Sequence, residues 1–191
     1  RSRVAAVNSR GFAFRNSNSY HGVEQTKLTM ATTVGVILAG GRGRRMGALT
    51  ETQPKPMVTV AGRPIIEHTV RRGDGLVDSW VIVTGYLGGK IRAHFGETHE
   101  GTASSYARQE QPLGTAHALQ RGLGAIPGDA DSLLVLNGDA VVPRALQRRL
   151  TTGGGPAVAV RYEDAPENGI AVLQDGQLVD AVEKPDTPPS N

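Results

Sequence analysis

Val34-Gly35-Val36-Ile37-Leu38 runs without a polar residue and passes directly into Ala39-Gly40-Gly41-Arg42-Gly43. An apolar run of that length, closed by a glycine-rich turn, predicts a buried strand whose exit loop brings the main chain close to something. The rest of the chain must supply neighbours for such a strand. Pro64 to Val70 opens with proline where helices accept it and continues as an amphipathic helix. Trp80-Val-Ile-Val83 reads as a second strand, Lys90 to Phe95 as a short helix, and Ser104 to Arg108 as an alternating strand. Thr115 to Arg121 reads as a helix, Leu133 to Leu136 as a strand bounded by Asn137-Gly138-Asp139, and Ala145 to Leu150 as a helix.

Strands alternating with helices predict an α/β fold: an open, mostly parallel, Rossmann-like sheet with helices on both faces, as crossover connections require. After Gly153-Gly154-Gly155 the pattern changes to short strands at Ala157 to Val160, Ile170 to Leu173 and Leu178 to Val182, with Asp175-Gly176 as a hairpin turn. A small antiparallel extension near the C-terminus is expected. No internal repeat is present.

The 191 residues match one domain, or one plus a ragged end. With no cysteine, disulfide scaffolds, thiolate metal sites and cysteine nucleophiles are excluded. The five histidines, His21, His68, His94, His99 and His117, form no HxxxH or HxH pair and read as ordinary surface or half-buried side chains.

The basic balance sits in the leading segment. Residues 1–29 hold Arg1, Arg3, Arg10, Arg15 and Lys27 against Glu24 alone, whereas the remainder carries one more acidic than basic residue. A domain so near neutrality has no general pull on a polyanion, so no nucleic-acid partner is expected. The same 29 residues show no sustained period, and no fold is predicted for them. They read as a disordered or spurious leader, with translation starting at Met30; an organellar transit peptide and a disordered native arm are the alternatives. No secretory apolar core and no apolar run near 18 residues occurs, so a soluble, cytoplasmic protein without membrane partners is expected.

Ligands of open parallel sheets bind at the carboxyl ends of the strands, and four segments follow predicted strands. In Leu38 to Met46, three glycines let the backbone approach a phosphate, and Arg42, Arg44 and Arg45 add charge-assisted donors. Met46 stands where a Rossmann loop needs glycine, and no Walker Gly-Lys-Ser/Thr is present. In Gln53-Pro54-Lys55-Pro56, two prolines restrict the backbone around a lysine, lowering the entropy lost in aiming one ammonium at an anion. In Gln109 to His117, a glutamine amide offers the donor and acceptor a pyrimidine edge demands, and Gly114 permits close approach at a helix mouth. Leu136-Asn137-Gly138-Asp139 places a carboxylate at a strand end, and one carboxylate plus substrate phosphates is a usual magnesium site.

Taken in order, these segments resemble the sugar-1-phosphate nucleotidylyltransferases. The likeness runs from Val34 to Asn191. It rests on Leu38-Ala-Gly-Gly-x-Gly-x-Arg-Met46, Pro54-Lys-Pro56, Gly85-Tyr-Leu-Gly88, Gln109 with Gly114-Thr-Ala116, Asn137-Gly-Asp139 and Glu183-Lys-Pro185. Each is weak alone, and six in sequence are highly specific. Gln109 to Ala116 is most similar to the thymidylyl- and uridylyl-transferring branch.

The resemblance implies transfer of a nucleoside monophosphate from an NTP, UTP or dTTP, to a sugar 1-phosphate, giving a nucleotide sugar and pyrophosphate. It implies catalytic roles for Arg45 at the departing pyrophosphate, Lys55 at the α-phosphate and sugar phosphate, and Asp139 as Mg²⁺ ligand. Leu38, Ala39 and Gly40 would line the base, Gly41 and Gly43 would approach the triphosphate, and Gln109, Gly114 and Thr115 would meet the pyrimidine. Gly169 and Glu183 would bind sugar hydroxyls, with Lys184 near the sugar phosphate. Partners are then the NTP and the sugar 1-phosphate, and a homo-oligomer is left open. A catalytically silent, nucleotide-sugar-binding regulatory subunit is the alternative.

Some positions depart from the family pattern. Arg44 replaces a small hydroxyl residue, Gly47-Ala48 replaces a basic residue and proline, and the Arg71 to Ser79 connection is short. The resemblance also places a second Mg²⁺-binding aspartate beyond Asn191. Residues 30–191 are therefore expected to be a nucleotidyltransferase domain truncated at its C-terminus, binding nucleotide with little or no turnover.

Overall fold

A computed structural model describes residues 31–153, 155–159, 170–174 and 177–182. Its centre is β1 (Thr33–Ala39), flanked on one side by β4 (Ser79–Thr84) and on the other by β7 (Ser132–Asn137), both parallel to it. β6 (Thr102–Arg108) lies parallel and outside β4, and the two-residue β5 (Thr98–His99) pairs antiparallel on its far edge. The order is β5-β6-β4-β1-β7. This is the expected open, mostly parallel sheet.

The register turns the apolar runs into two cores. Val34 and Val36 of β1 face one side with Val81 and Val83 of β4, while Ile37 and Ala39 face the other with Trp80 and Ile82. All eight are at most 1% exposed, which is why none of these strands alternates with polar residues. A fully buried valine or isoleucine contributes about 1.5–3 kcal/mol relative to exposure. Trp80 lies directly opposite Gly35, and a Cβ at Gly35 would run into its indole, so the bulkiest core side chain is accommodated over a residue with none.

The helices take faces dictated by the strand order. The chain moves outward from β1 to β4 and β6, with α1 (Ile65–Arg72) and α2 (Gly88–Phe95) packed on the Trp80 face through Ile66, Val70, Ile91 and Phe95. It then reverses, passing β4 and β1 to reach β7. A right-handed crossover in the opposite direction must use the opposite face, and α3 (Thr115–Leu123) packs there through Ala118 and Leu119. α4 (Arg144–Thr152) returns to the first face, where Leu150 meets the Trp80 core.

Smaller elements depart from the expected pattern. A two-residue ladder of β2 (Thr59–Val60) and β3 (Arg63–Pro64) leads into α1, so Pro64 caps that helix instead of beginning it. The strand expected at Ala157 to Val160 is reduced to isolated bridges at Ala157 and Ala159, with Val160 outside the described residues. β8 (Ile170–Gln174) and β9 (Gln177–Val182) form the antiparallel pair expected near the C-terminus, with an irregularity between Val172 and Leu173. The Asp175-Gly176 turn lies outside the described residues. Among those residues no helix is long and apolar enough to cross a membrane.

Candidate active site

The strand order reverses at β1, with β4 on one side and β7 on the other. The loops leaving adjacent parallel strands at such a reversal diverge to opposite faces and open a crevice. A cleft of about 490 Å³ opens there, a size ordinary for small-ligand sites. Leu38, Ala39, Gly40, Gly41 and Gly43 line it from β1 and its loop, and Asn137 and Asp139 from the end of β7. Gln109, Gly114 and Thr115 line it from the β6–α3 connection, and Lys55 from the segment after the glycine-rich loop.

The glycine-rich loop is held from two sides. A Cβ at Gly85 would collide with the Gly40 carbonyl, so the turn after β4 rests on the loop backbone, with the Tyr86 amide donating to the Gly40 oxygen at 3.4 Å. Tyr86 donates its hydroxyl to the Glu51 carbonyl at 2.8 Å, and Arg42 lies 4.8 Å over its ring. Arg42 thus stacks on the loop's support and is not among the residues lining the cleft. On the other side Gly43 adopts φ +66°, and a Cβ there would come within 2.7 Å of the Lys55 Cβ. Glycine therefore lets the lysine stem pass against the loop.

Lys55 begins a single 3-10 turn, Lys55–Met57, between two buried prolines. Its Nζ donates to Asp139 Oδ2 at 2.7 Å, the two side chains being 33% and 42% exposed. The segment carrying Asp139 is clamped to α1. Thr69 donates its hydroxyl to the Ala140 carbonyl at 2.6 Å and accepts from the Val142 amide at 3.2 Å. The fully buried Gln147 donates to the carbonyls of Thr69 and Val142, each at 3.0 Å.

Gln109, 6% exposed, continues β6, its amide bonding to the Thr84 carbonyl at 2.7 Å. Its side-chain Nε2 donates to the Gly114 carbonyl at 3.1 Å and to His117 Nδ1 at 3.2 Å, and a Cβ at Gly40 would strike its Oε1. The fold thus brings Lys55, Asp139, Gln109, Gly114, Thr115 and Leu38, Ala39, Gly40, Gly41 and Gly43 into one crevice. Arg45 contributes its backbone to the 3-10 stretch Arg44–Thr50, and its side chain lies outside the described part. Gly169, Glu183 and Lys184 lie outside the described residues.

Sequence reading passed over several lining residues: Met46, Pro56, Pro112, Ala118 and the carbonyl-bearing Asn137. Four stand inside segments already singled out, so the signal was position within such a segment.

The donor set bears on a metal. Among the described residues no group of three or more histidine or carboxylate side chains is arranged to hold a metal ion. A single carboxylate in a cleft lined by N–H-bearing glycines fits a hard cation held jointly with substrate phosphates, and does not fit a resident ion in an all-protein cage.

Away from the cleft, Glu67 of α1 is buried between Arg63 at 2.5 Å and His94 at 2.9 Å. Burial pulls its carboxyl up, but the hydrogen bonds from Arg63 and His94 and their charges outweigh that and hold it below the ordinary value. Burial pushes the neighbouring His99 imidazole down.

A family model described as nucleotidyl transferase matches residues 34–191. The chain belongs to the nucleotidyl transferase family. Within it, the chain is 36% identical over 152 residues to the bifunctional protein GlmU of Methanococcus maripaludis, a match covering 78% of this chain and 35% of that protein. It is 35% identical over 166 residues to the UTP–glucose-1-phosphate uridylyltransferase AglF of Haloferax volcanii, covering 82% and 67% of the two chains. A UDP-glucose pyrophosphorylase from Acinetobacter baumanii shares the fold, with a TM-score of 0.61 at 23% identity over 81% of this chain and 68% of that one. The chain spans about a third of the length of the GlmU relatives it matches. The nucleotidyltransferase likeness thus extends from single motifs to the whole parallel sheet.

Proposed function

We propose that this chain carries the nucleotide-binding part of a sugar-1-phosphate nucleotidylyltransferase. It would transfer a nucleoside monophosphate from UTP or dTTP to a sugar 1-phosphate. The observation that carries the reading is the 2.7 Å approach of Lys55 to Asp139 in the same crevice as the glycine-rich loop and Gln109. A cation, a metal-type carboxylate, close-approach backbone and a base-edge amide meet in one space.

In the proposed reaction a phosphate oxygen of the sugar 1-phosphate attacks the α-phosphorus in line. One phosphorus–oxygen bond forms, the bond to the β-phosphate breaks, and pyrophosphate leaves with the electron pair. The nucleophile is already anionic, so no protein base has to remove a proton. The protein's share is alignment and neutralised charge. Gly40, Gly41 and Gly43 let the backbone approach the triphosphate, Lys55 turns its ammonium to the α-phosphate and incoming phosphate, and Arg45 holds the departing pyrophosphate. Asp139 would hold the Mg²⁺, which supplies charge neutralisation on the phosphate oxygens. Gly169, Glu183 and Lys184 would serve the sugar phosphate.

Calorimetric titration of the chain with UTP, dTTP and ATP in Mg²⁺ tests the reading. A pyrimidine nucleotide should bind at least tenfold tighter than ATP, and pyrophosphate exchange should require Asp139. Equal binding of ATP, or exchange unaffected by Asp139→Asn, would overturn it.

A further inference from the structure

We propose that His117 is a positioning residue that fixes the orientation of the Gln109 amide and thereby selects uracil or thymine over cytosine. The proposal rests on the pyrimidine-nucleotide reading above and concerns how that base is told from its nearest competitor.

A glutamine amide has a nitrogen with two hydrogens to donate and an oxygen that only accepts. In a symmetric environment it flips, presenting either end to a ligand. Here the environment is not symmetric. The Gly114 carbonyl, 3.1 Å from the amide, can only accept, so the atom facing it is the nitrogen. The second hydrogen of that nitrogen meets His117 Nδ1 at 3.2 Å. Both donors are then used, and Oε1 is left turned to Gly40, which with Gln109 lines the cleft.

This arrangement places a requirement on the imidazole. Nδ1 has to carry a lone pair, so His117 must be neutral with its hydrogen on Nε2. Its place is set by α3: His117 stands in the first turn, three residues beyond Gly114, the cap residue whose carbonyl is the other anchor. Helix start and amide anchor are therefore one unit, and Gln109 is buried against it.

The consequence for recognition is a matter of complementarity. Uracil and thymine carry a donor at N3, which an amide oxygen held at the cleft wall accepts. Cytosine carries a bare acceptor there, so the same oxygen meets a lone pair. Holding the amide in one orientation before binding also removes the entropic cost of selecting it afterwards. Gln109 touches the base, and His117 acts through it.

The test measures UTP and CTP dissociation constants for the full chain and two variants, with folding checked by thermal melts. His117→Ala removes the lone pair and should narrow the CTP-to-UTP ratio by about twofold to tenfold, the range of one neutral hydrogen bond. His117→Asn, whose Oδ1 accepts near the place of Nδ1, should keep the ratio within about twofold of the parent. A ratio unchanged in His117→Ala, with UTP still preferred, overturns the positioning role and leaves the nucleotide reading standing. A parent chain that prefers neither nucleotide overturns both.

The parent also answers without a variant. A long-range ¹H–¹⁵N spectrum should show His117 as the Nε2–H tautomer, and hydrogen on Nδ1 would overturn the proposal even if His117→Ala failed to fold.

Discussion

Replacing Lys55 by methionine separates binding from stability, because its one strong partner is half in water. The lysine stem passes against Gly43, and methionine preserves most of that packing while removing the charge. In the free protein the loss is one ion pair between side chains 33% and 42% exposed. Asp139, left alone, is open enough to rehydrate. Pairs of this kind contribute about 1 kcal/mol or less after screening, so the urea midpoint should move little.

In the nucleotide complex the proposed loss is a charge-assisted hydrogen bond to a phosphate, worth about 1.5–3 kcal/mol. That corresponds to about a tenfold to 150-fold rise in the UTP dissociation constant. Calorimetry at fixed Mg²⁺ and ionic strength, beside urea melts followed through the single tryptophan, Trp80, gives both numbers. A rise in dissociation constant below about threefold would remove Lys55 from the phosphate. A stability loss above about 2 kcal/mol would mean that the pair with Asp139 is structural rather than held ready for ligand.

Two further predictions come from packing and protonation. Gly85→Ala should cost about 1–3 kcal/mol and weaken UTP binding, since its methyl would press on the Gly40 backbone; Gly89→Ala, whose Cβ meets nothing within 4 Å in α2, should stabilise by about 0.5–1 kcal/mol. Equal urea midpoints for the two would refute the close approach of the loops. Acidification should lower stability in two stages: half-buried His99, ordinarily near 6.5, prefers to be neutral in the fold, so its contribution is present above that pH and lost as pH falls through the depressed value. Glu67 adds a contribution present above its ordinary 4.5 and lost below it, and a urea midpoint unchanged from about pH 7 to 3.5 would refute both.

The parallel sheet was legible because β1 and β4 are buried on both faces and write that burial as unbroken apolar runs; β7 carries a similar run although Val135 on its other face is exposed. The helices were legible where one stripe is apolar, as in α1 and α4. β2, β3 and β5 were not, because a two-residue ladder has no period to detect. Near Ala157 the described residues carry isolated bridges at Ala157 and Ala159 where the apolar run predicted a strand.

At the cleft, Lys55, Asp139 and Gln109 stood out as polar residues at strand ends or between prolines. That β7 docks beside β1 instead of outside β6 was not written in any local pattern. It depends on the hand of the crossover carrying α3. His117 was passed over because its contact is with Gln109, eight residues back across a loop, a spacing that belongs to no helix or strand.

The edges of β1 are filled at very different times as the chain is made. Thr33 meets Ser132 at a sequence separation of 99, and Lys55 reaches Asp139 at one of 84. On the ribosome, the Gly40–Gln109 wall of the crevice has all its residues well before the opposite wall has emerged. Non-local closure of this kind is slow. Until Asn137 arrives, β1 carries an open hydrogen-bonding edge, the sort of surface on which unfinished chains stick to one another. Nucleotide stabilises only a completed crevice, so by mass action it rewards the finished molecule and gives no help to the nascent one.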